Sequence, residues 1–236
     1  MGQRARAVRP ARIVTAQPAP SQPARARFEP SRHGFAFANS WPAAPAISVR
    51  TPAGRIGIGN AALGLCGGMT FAALDYWHAG RLPPALQPAP GTPLYRFIVR
   101  RLIESWRIPA GVAGYYRGML SSDAGLARRT ISRQWPPVRA LLDDGQPAPL
   151  ALVTVASASP LLLGRNHQVV AYDYALDGPE VTLAVYDPNS GPDDGVVIRF
   201  STAGGSGVAF PHTISIGWPV RGFFLTRYTP AEPPPG

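Results

Sequence analysis

The chain contains a single thiol, Cys66, in the stretch GLCGGMTFAALDYWHAG. Two glycines and then an apolar pattern with helical spacing follow it, so Cys66 stands at the predicted start of a helix. A helix N-terminus lowers the pKa of a thiol, because its N–H groups have no helical partners and its dipole favours an anion. We therefore expect Cys66 to act as a nucleophile, with Gly67 and Gly68 leaving room for a substrate backbone. The alternative is a small buried cysteine packed at a helix end.

A thiol nucleophile needs a base, and the chain offers four histidines. His33 lies in a segment predicted to be disordered. His78 is twelve positions further along the helix of Cys66, which separates the two by about 18 Å. His212 has no acid near it in sequence. His167 opens the strand-like stretch HQVVAYDYAL after a glycine-containing loop, so we predict His167 as the general base.

The base in such a pair is usually oriented by a third group. Asp173 is too far along the same strand, at about 20 Å. If the DGPE stretch turns the chain back, paired positions add up to about 357 and His167 faces the neighbourhood of Ser190. That neighbourhood contains Asp187 and Asn189, and either side chain could hold the imidazole. The apolar alternation that precedes Asp187 places it on the inner face of its strand, which favours the aspartate.

Asn60 lies six residues before Cys66, in the loop that leads into the predicted helix. A side-chain amide at this position could reach over the nucleophile as an oxyanion donor. The equally weighted alternative is an ordinary turn asparagine in the stretch GIGNA.

The elements that must position these residues change character along the chain. Helical patterns come first, after Cys66 and in the stretches PLYRFIVRRLIESWR, SSDAGLARRTISRQW and PPVRALLDDG. Five strand candidates with period-two alternation follow: PLALVTVAS, HQVVAYDYAL, EVTLAVYD, GVVIRFST and RGFFLTRYT. The stretch AISVRTPAGRIGIGN favours a hairpin or loop. Helices followed by strands predict an α+β fold with an antiparallel sheet, and place the chemistry where the two halves meet.

Composition limits the other classes of function. The formal charge is +10, but residues 1–50 contain eight arginines and one acid, whereas the remaining residues contain fifteen arginines and twelve acids. We predict disordered tails at 1–33 and 229–236 around a domain at 34–228. Nucleic acid is expected to bind at most weakly, through the basic tail. No apolar run is long enough for a secretory signal or a membrane span, so we expect a cytoplasmic protein. Scattered histidines and one cysteine predict no metal and no cofactor.

The ordered set of motifs resembles the papain-like cysteine peptidase superfamily. GLCGGMTFAALDYW, NHQVVAYDY and VYDPN look like an uncharacterised bacterial and fungal branch of it, and HQVVAYDY and YDPN are similar to strands of bacteriocin-leader-processing peptidases. The resemblance implies a helical part with Cys66 on its central helix and a sheet part with His167. It implies Cys66 as nucleophile, His167 as base, Asp187 as orienter and Asn60 as oxyanion donor. The chain departs from the superfamily in having Asn60 where glutamine is usual, and Gly67 where an aromatic residue often follows the cysteine.

These observations predict a thiol-dependent hydrolase or acyl transferase that acts on an amide or peptide bond of a peptide or protein substrate through a Cys-His-Asp triad. The resemblance implies that the same machinery also supports deamidation and amide-bond formation. The alternative is a catalytically inactive papain-like fold that serves as a binding or structural module.

Overall fold

The computed structural model describes residues 27–41, 47–51, 54–58, 64–203 and 210–235. Six α-helices lie in this part of the chain, with a π-helical turn at 130–134 between the fifth and the sixth and a 3₁₀ segment at Pro160–Arg165. The helices are α1 (Pro30–His33), α2 (Cys66–His78), α3 (Pro93–Ser105), α4 (Ala110–Met119), α5 (Asp123–Arg129) and α6 (Trp135–Asp143).

The strands form two antiparallel sheets in the described residues. A hairpin contains β1 (Ile47–Thr51) and β2 (Gly54–Ile58). The larger sheet has the order β6-β5-β4-β3-β7. Its strands are β3 (Ala148–Val153), β4 (His167–Asp177), β5 (Glu180–Tyr186), β6 (Val197–Ser201) and β7 (Gly222–Leu225). All five strand candidates belong to this sheet, and the predicted α+β class is confirmed.

Helix α2 carries the cysteine and is buried on every side from Gly67 to Trp77. It has no polar stripe because α3 covers one side and the sheet, mainly β4, covers another. Helix α3 is amphipathic, as predicted, and Thr92 caps it by accepting a hydrogen bond from the backbone N–H of Tyr95. This arrangement fixes the start of α2 against the end of the sheet.

The sheet separates two groups of core residues because side chains alternate along its strands. Val170 and Tyr186 face α2 and α3 on one side. Val169 and Ala171 belong to the cluster on the other side, where α6 contributes Trp135, Val138 and Leu142. Helices therefore cover both faces of the sheet, and its ends remain the places where α2 and the strand termini can meet.

The folded part begins earlier than the predicted boundary at Gly34. The Phe28 side chain is 3% exposed and packs with Trp77, Tyr172 and Tyr186. Its aromatic ring gives this arginine- and proline-rich segment something to bury, which the compositional argument for a disordered tail overlooked. Residues 1–26, the rest of the predicted tail, lie outside the described residues.

The C-terminal segment is also packed, which corrects the prediction of a disordered tail at 229–236. Asp75, 1% exposed, accepts hydrogen bonds from the Tyr228 hydroxyl at 2.7 Å and the Ala231 N–H at 2.9 Å. Arg101 pairs with Asp75 at 2.7 Å and donates to the carbonyl oxygen of Thr229 at 2.9 Å. A proline-rich segment whose backbone groups are hydrogen-bonded in this way is ordered without regular secondary structure.

Candidate functional site

Cys66 is the first residue of α2, as predicted, and its side chain is half-buried. The residue before it, Leu65, offers no side-chain cap. The N–H groups of the first turn have no partners within the helix, so they are available to an anion at this end. The structure thus places the only thiol of the chain where its ionised form is favoured.

The two glycines after Cys66 serve helix packing, and not substrate access as predicted. A Cβ atom on Gly67 would lie 2.3 Å from the Ser105 hydroxyl and 2.8 Å from the Gln168 side chain. A Cβ atom on Gly68 would lie 2.1 Å from the carbonyl oxygen of Ile98 in α3. The space beside both glycines is therefore already filled by α3 and β4.

His167 is the first residue of β4 and is 4% exposed. The preceding residue, Asn166, anchors the approach to the strand. Its side chain accepts a hydrogen bond from the Thr154 N–H at 3.1 Å and donates to the Leu163 carbonyl at 3.0 Å. The imidazole is therefore carried on backbone that is fixed on both sides.

Asp187 follows the end of β5 and its side chain is fully buried. Its Oδ1 lies 2.7 Å from Nε2 of His167 and accepts the Asn189 N–H at 3.0 Å. Its Oδ2 accepts the Ser190 hydroxyl at 3.0 Å and the Ser215 N–H at 2.8 Å. Four donors offset the cost of burying this carboxylate, and they also fix its orientation toward the imidazole.

The register of the β4–β5 hairpin explains why the aspartate, and not Asn189, meets His167. Paired positions add up to 357 from the turn to Asp173, as predicted, and then to 356 after a bulge between Ala171 and Asp173. Continued to its end, this register sets His167 opposite position 189. The Asn189 side chain turns away to other partners, and the imidazole reaches diagonally to Asp187.

The thiol and the imidazole are close enough to shift each other's ionisation. Nε2 of His167 is engaged by Asp187, which leaves Nδ1 for the thiol. Burial opposes ionisation of the thiol, but the charge and hydrogen bond of His167, together with the N–H groups of Gln168 and Gly67, outweigh it and lower the pKa of Cys66. Burial alone would lower the pKa of His167. The Cys66 thiolate and the Asp187 carboxylate outweigh this effect, so the pKa of His167 is raised. Both shifts favour a thiolate–imidazolium pair.

Asn39 was not singled out from the sequence, yet it touches both halves of the site. Its Oδ1 accepts the Leu65 N–H at 2.6 Å and the Trp41 indole N–H at 2.9 Å. Its Nδ2 donates to Oδ1 of Asn189 at 2.9 Å, and its backbone N–H donates to the Pro188 carbonyl at 2.8 Å. No local pattern could reveal these contacts, since Asn39 and Asn189 are 150 positions apart.

Gln168, Ser105 and Tyr115 form a buried polar group behind the nucleophile that the sequence also did not indicate. Gln168 Nε2 donates to the Ser105 hydroxyl at 3.1 Å, and the Gln168 side chain lies close to the Tyr115 hydroxyl. Burial and the neighbouring Cys66 raise the pKa of Tyr115, so its hydroxyl stays protonated. These side chains support the first turn of α2.

Four other residues were candidates from the sequence. Asn60 lies outside the described residues. His33 accepts the Glu29 N–H at Nδ1 over 2.9 Å, and His212 donates from Nε2 to the Trp218 carbonyl at 3.2 Å. His78 is the last residue of α2, at the opposite end from Cys66. The structure therefore brings together Cys66, His167 and Asp187.

Within the described ranges, no group of three or more His, Cys, Asp and Glu side chains could hold a metal ion. No helix in the same ranges is long and apolar enough to cross a membrane. A comparison with models of known protein families, with curated proteins and with solved structures returns no match for this chain.

Proposed function

We propose that the chain is a thiol-dependent hydrolase or acyl transferase acting on an amide or peptide bond, with Cys66 as nucleophile, His167 as general base and Asp187 as its orienter. The observation that carries the proposal is the buried His167 ring, whose Nε2 lies 2.7 Å from the Asp187 carboxylate and whose pKa is raised by the neighbouring Cys66 thiolate. The motif order that resembles the papain-like superfamily supports the same assignment.

The reaction would begin with attack of the Cys66 thiolate on the carbonyl carbon. A C–S bond forms, and the carbonyl electron pair moves to oxygen. N–H groups of the first turn of α2, which have no partners within the helix, would donate to this oxyanion, and Asn60 is proposed as a second donor.

Collapse of the tetrahedral intermediate breaks the C–N bond, and the His167 imidazolium gives its proton to the leaving amine. In hydrolysis, neutral His167 then takes a proton from water as the hydroxide attacks the thioester. It keeps this proton when the C–S bond breaks, so the acid leaves and the thiolate–imidazolium pair is restored. In acyl transfer, an amine replaces water in this second step. Asp187 stabilises the imidazolium throughout without itself taking the proton.

The test is the rate of iodoacetamide labelling of Cys66 as a function of pH. We expect the rate to reach its plateau well below the free-thiol pKa of about 8.5. In His167→Ala the plateau should move to or above that value, because the imidazolium no longer stabilises the thiolate. His212→Ala is the matched control, since it removes an imidazole that does not contact the thiol, and it should keep the wild-type profile.

His167→Gln serves as a second variant if the alanine variant does not fold, because it retains a polar side chain of similar size. Labelling of wild type that follows an ordinary thiol titration, unchanged in both His167 variants, would contradict the proposal. In that case a catalytically inactive binding or structural module would account for the fold.

A further inference from the structure

Two residues at the border of the site form an exposed aromatic–cationic pair that the proposed reaction does not use. The guanidinium carbon of Arg165 lies 4.9 Å from the centre of the Trp218 ring. Arg165 is exposed, and 45% of Trp218 is accessible. The pair is thus open to solvent while its geometry is set by stacking.

Both residues are tied to the candidate triad by short connections. Arg165 ends the 3₁₀ segment and is two residues before His167, and its backbone carbonyl is held by the Thr154 hydroxyl at 2.9 Å. Trp218 is three residues after Ser215, whose N–H donates to Asp187. The Trp218 carbonyl is held in turn by His212. The backbone that carries the pair is therefore continuous with His167 and with the segment whose N–H binds the Asp187 carboxylate.

The charge of Arg165 is not neutralised by the part of the chain that the structure describes. No carboxylate there lies within ion-pair distance of its guanidinium. Asp187, the carboxylate of the candidate site, is fully buried and already accepts four hydrogen bonds. The guanidinium carbon lies over the Trp218 ring, and the Arg165 side chain donates no hydrogen bond to the described residues, so its N–H donors remain available.

A guanidinium whose N–H donors are not engaged is matched by a carboxylate, which accepts two parallel N–H donors. We propose that Arg165 and Trp218 form a subsite that binds a carboxylate-bearing group of the substrate next to the bond attacked by Cys66. This inference rests on the proposed function and deepens it, because it names acidic substrates as the preferred class.

The test compares two alkylating reagents that differ in charge, iodoacetate and iodoacetamide. Each reacts with the Cys66 thiolate in the same way: the C–S bond forms as the C–I bond breaks, and iodide leaves with the electron pair. The readout is the ratio of the two second-order rate constants at one pH and low salt. Any contribution of His167 to this ratio is common to wild type and variants, so it cancels in the comparison.

We expect the iodoacetate-to-iodoacetamide ratio to be about fivefold lower in Arg165→Gln than in wild type, as a unit charge several ångströms away in partly hydrated surroundings would produce. Arg165→Lys should retain most of the wild-type ratio. The control Arg199→Gln removes an exposed arginine from β6, two strands away from β4, and should leave the ratio unchanged. Raising the ionic strength to about 0.15 M should reduce the difference.

An Arg165→Gln ratio equal to that of wild type would overturn the proposal. An unchanged ratio in Trp218→Leu would show that Trp218 does not contribute to the subsite. Failure of the proposed function is visible separately, in the pH profile of the neutral reagent. Because the ratio compares two reagents at one thiol, it is measurable at high pH even when labelling is slow. No labelling by either reagent would overturn both proposals.

A second set of reagents distinguishes the source of the carboxylate. N-bromoacetyl-glutamic acid α-amide, compared with its glutamine analogue, tests an acidic side chain. N-bromoacetyl-glycine, compared with its amide, tests a chain terminus. The pair whose rate ratio falls in Arg165→Gln identifies the group that the subsite takes. If neither ratio depends on Arg165, a substrate subsite is excluded even where iodoacetate responds.

Discussion

Asn39 donates a hydrogen bond from Nδ2 to Oδ1 of Asn189 over 2.9 Å, and this contact joins the two halves of the site. On one side, Asn39 holds the N–H of Leu65, the residue before the thiol. On the other side, the Asn189 N–H donates to the carboxylate that contacts His167. One amide therefore links the start of α2 to the end of β5.

Substitutions at Asn39 should distinguish an effect on the position of Cys66 from an effect on the stability of the fold. In Asn39→Ala the iodoacetamide labelling rate near pH 7 should fall roughly tenfold, since loss of one buried polar contact corresponds to about 1–2 kcal/mol. Asn39→Asp keeps the acceptor for Leu65 but cannot donate to Asn189, and its rate should lie in between. Val138→Ala, a core truncation under the opposite face of the sheet, is the control for stability alone. Equal rates in all variants, with only the thermal midpoint lowered, would make Asn39 purely structural.

The two glycines after Cys66 should differ in their tolerance of a methyl group. Gly68→Ala should lower the free energy of unfolding by about 2–4 kcal/mol. The new methyl group would meet the backbone of Ile98, which cannot move alone. Gly67→Ala should cost less, because the Ser105 hydroxyl and the Gln168 side chain can rotate. Gly217→Ala, with nothing within 4 Å, is the control. Chemical denaturation measures all three, and equal losses for Gly67 and Gly68 would contradict this account.

Asp187→Asn should raise the pH needed for fast labelling of Cys66. A neutral amide stabilises the His167 imidazolium less, so the thiolate loses part of its support and the pKa of the thiol rises. Near pH 6 labelling should be on the order of tenfold slower than in wild type. Ser190→Ala removes only one of the four donors to the carboxylate and should change the rate by less than about threefold. A wild-type pH profile in Asp187→Asn would show that the carboxylate does not tune the pair.

Removing the C-terminal segment after Tyr228 should destabilise the domain. The truncation deletes the Ala231 N–H that Asp75 accepts and the Thr229 carbonyl that Arg101 holds. It also deletes the Pro233 and Pro234 carbonyls to which Arg81 donates. We expect the unfolding free energy to fall by about 2–4 kcal/mol, measured by denaturant titration. An unchanged value would restore the interpretation of this segment as a disordered tail.

Asp75 gives the stability a specific pH dependence. Burial raises its pKa to about 6, although Tyr228, Ala231 and Arg101 oppose the shift. The native carboxyl thus binds a proton more readily than the unfolded one, whose pKa is about 3.9. Its contribution to the unfolding free energy is fully present below about pH 4 and is lost as the pH rises through about 6. In Asp75→Asn this decline should disappear from stability measured across that range.

Much of the fold follows from local pattern. Period-two alternation identified all five strands of the large sheet, and the DGPE turn set the register of β4 and β5. Helix α4 was not predicted because three glycines interrupt its sequence, AGVAGYYRGM, although Tyr115 and Met119 are buried at helical spacing. The bulge between Ala171 and Asp173 has no signal in the sequence either, and it moves the register by one position.

The site was predictable only as far as neighbouring elements determine it. His167 and Asp187 lie on adjacent strands, so hairpin geometry was sufficient to bring them together. Asn39 and the glycine packing depend on contacts between segments far apart in the chain. Such contacts form when distant segments pack against one another, and no local periodicity in the sequence specifies that packing.

The hairpin that carries both His167 and Asp187 has a consequence for the order in which the site assembles. These two residues come together when a single local turn forms, whereas Cys66 arrives from a segment about a hundred positions earlier. Closing that long loop is the slow and entropically costly part of folding. Under the proposed function, we expect the thiol to become reactive only when the two halves have docked. Its labelling rate is a natural probe of local opening, since any fluctuation that parts the halves returns the cysteine to an ordinary thiol.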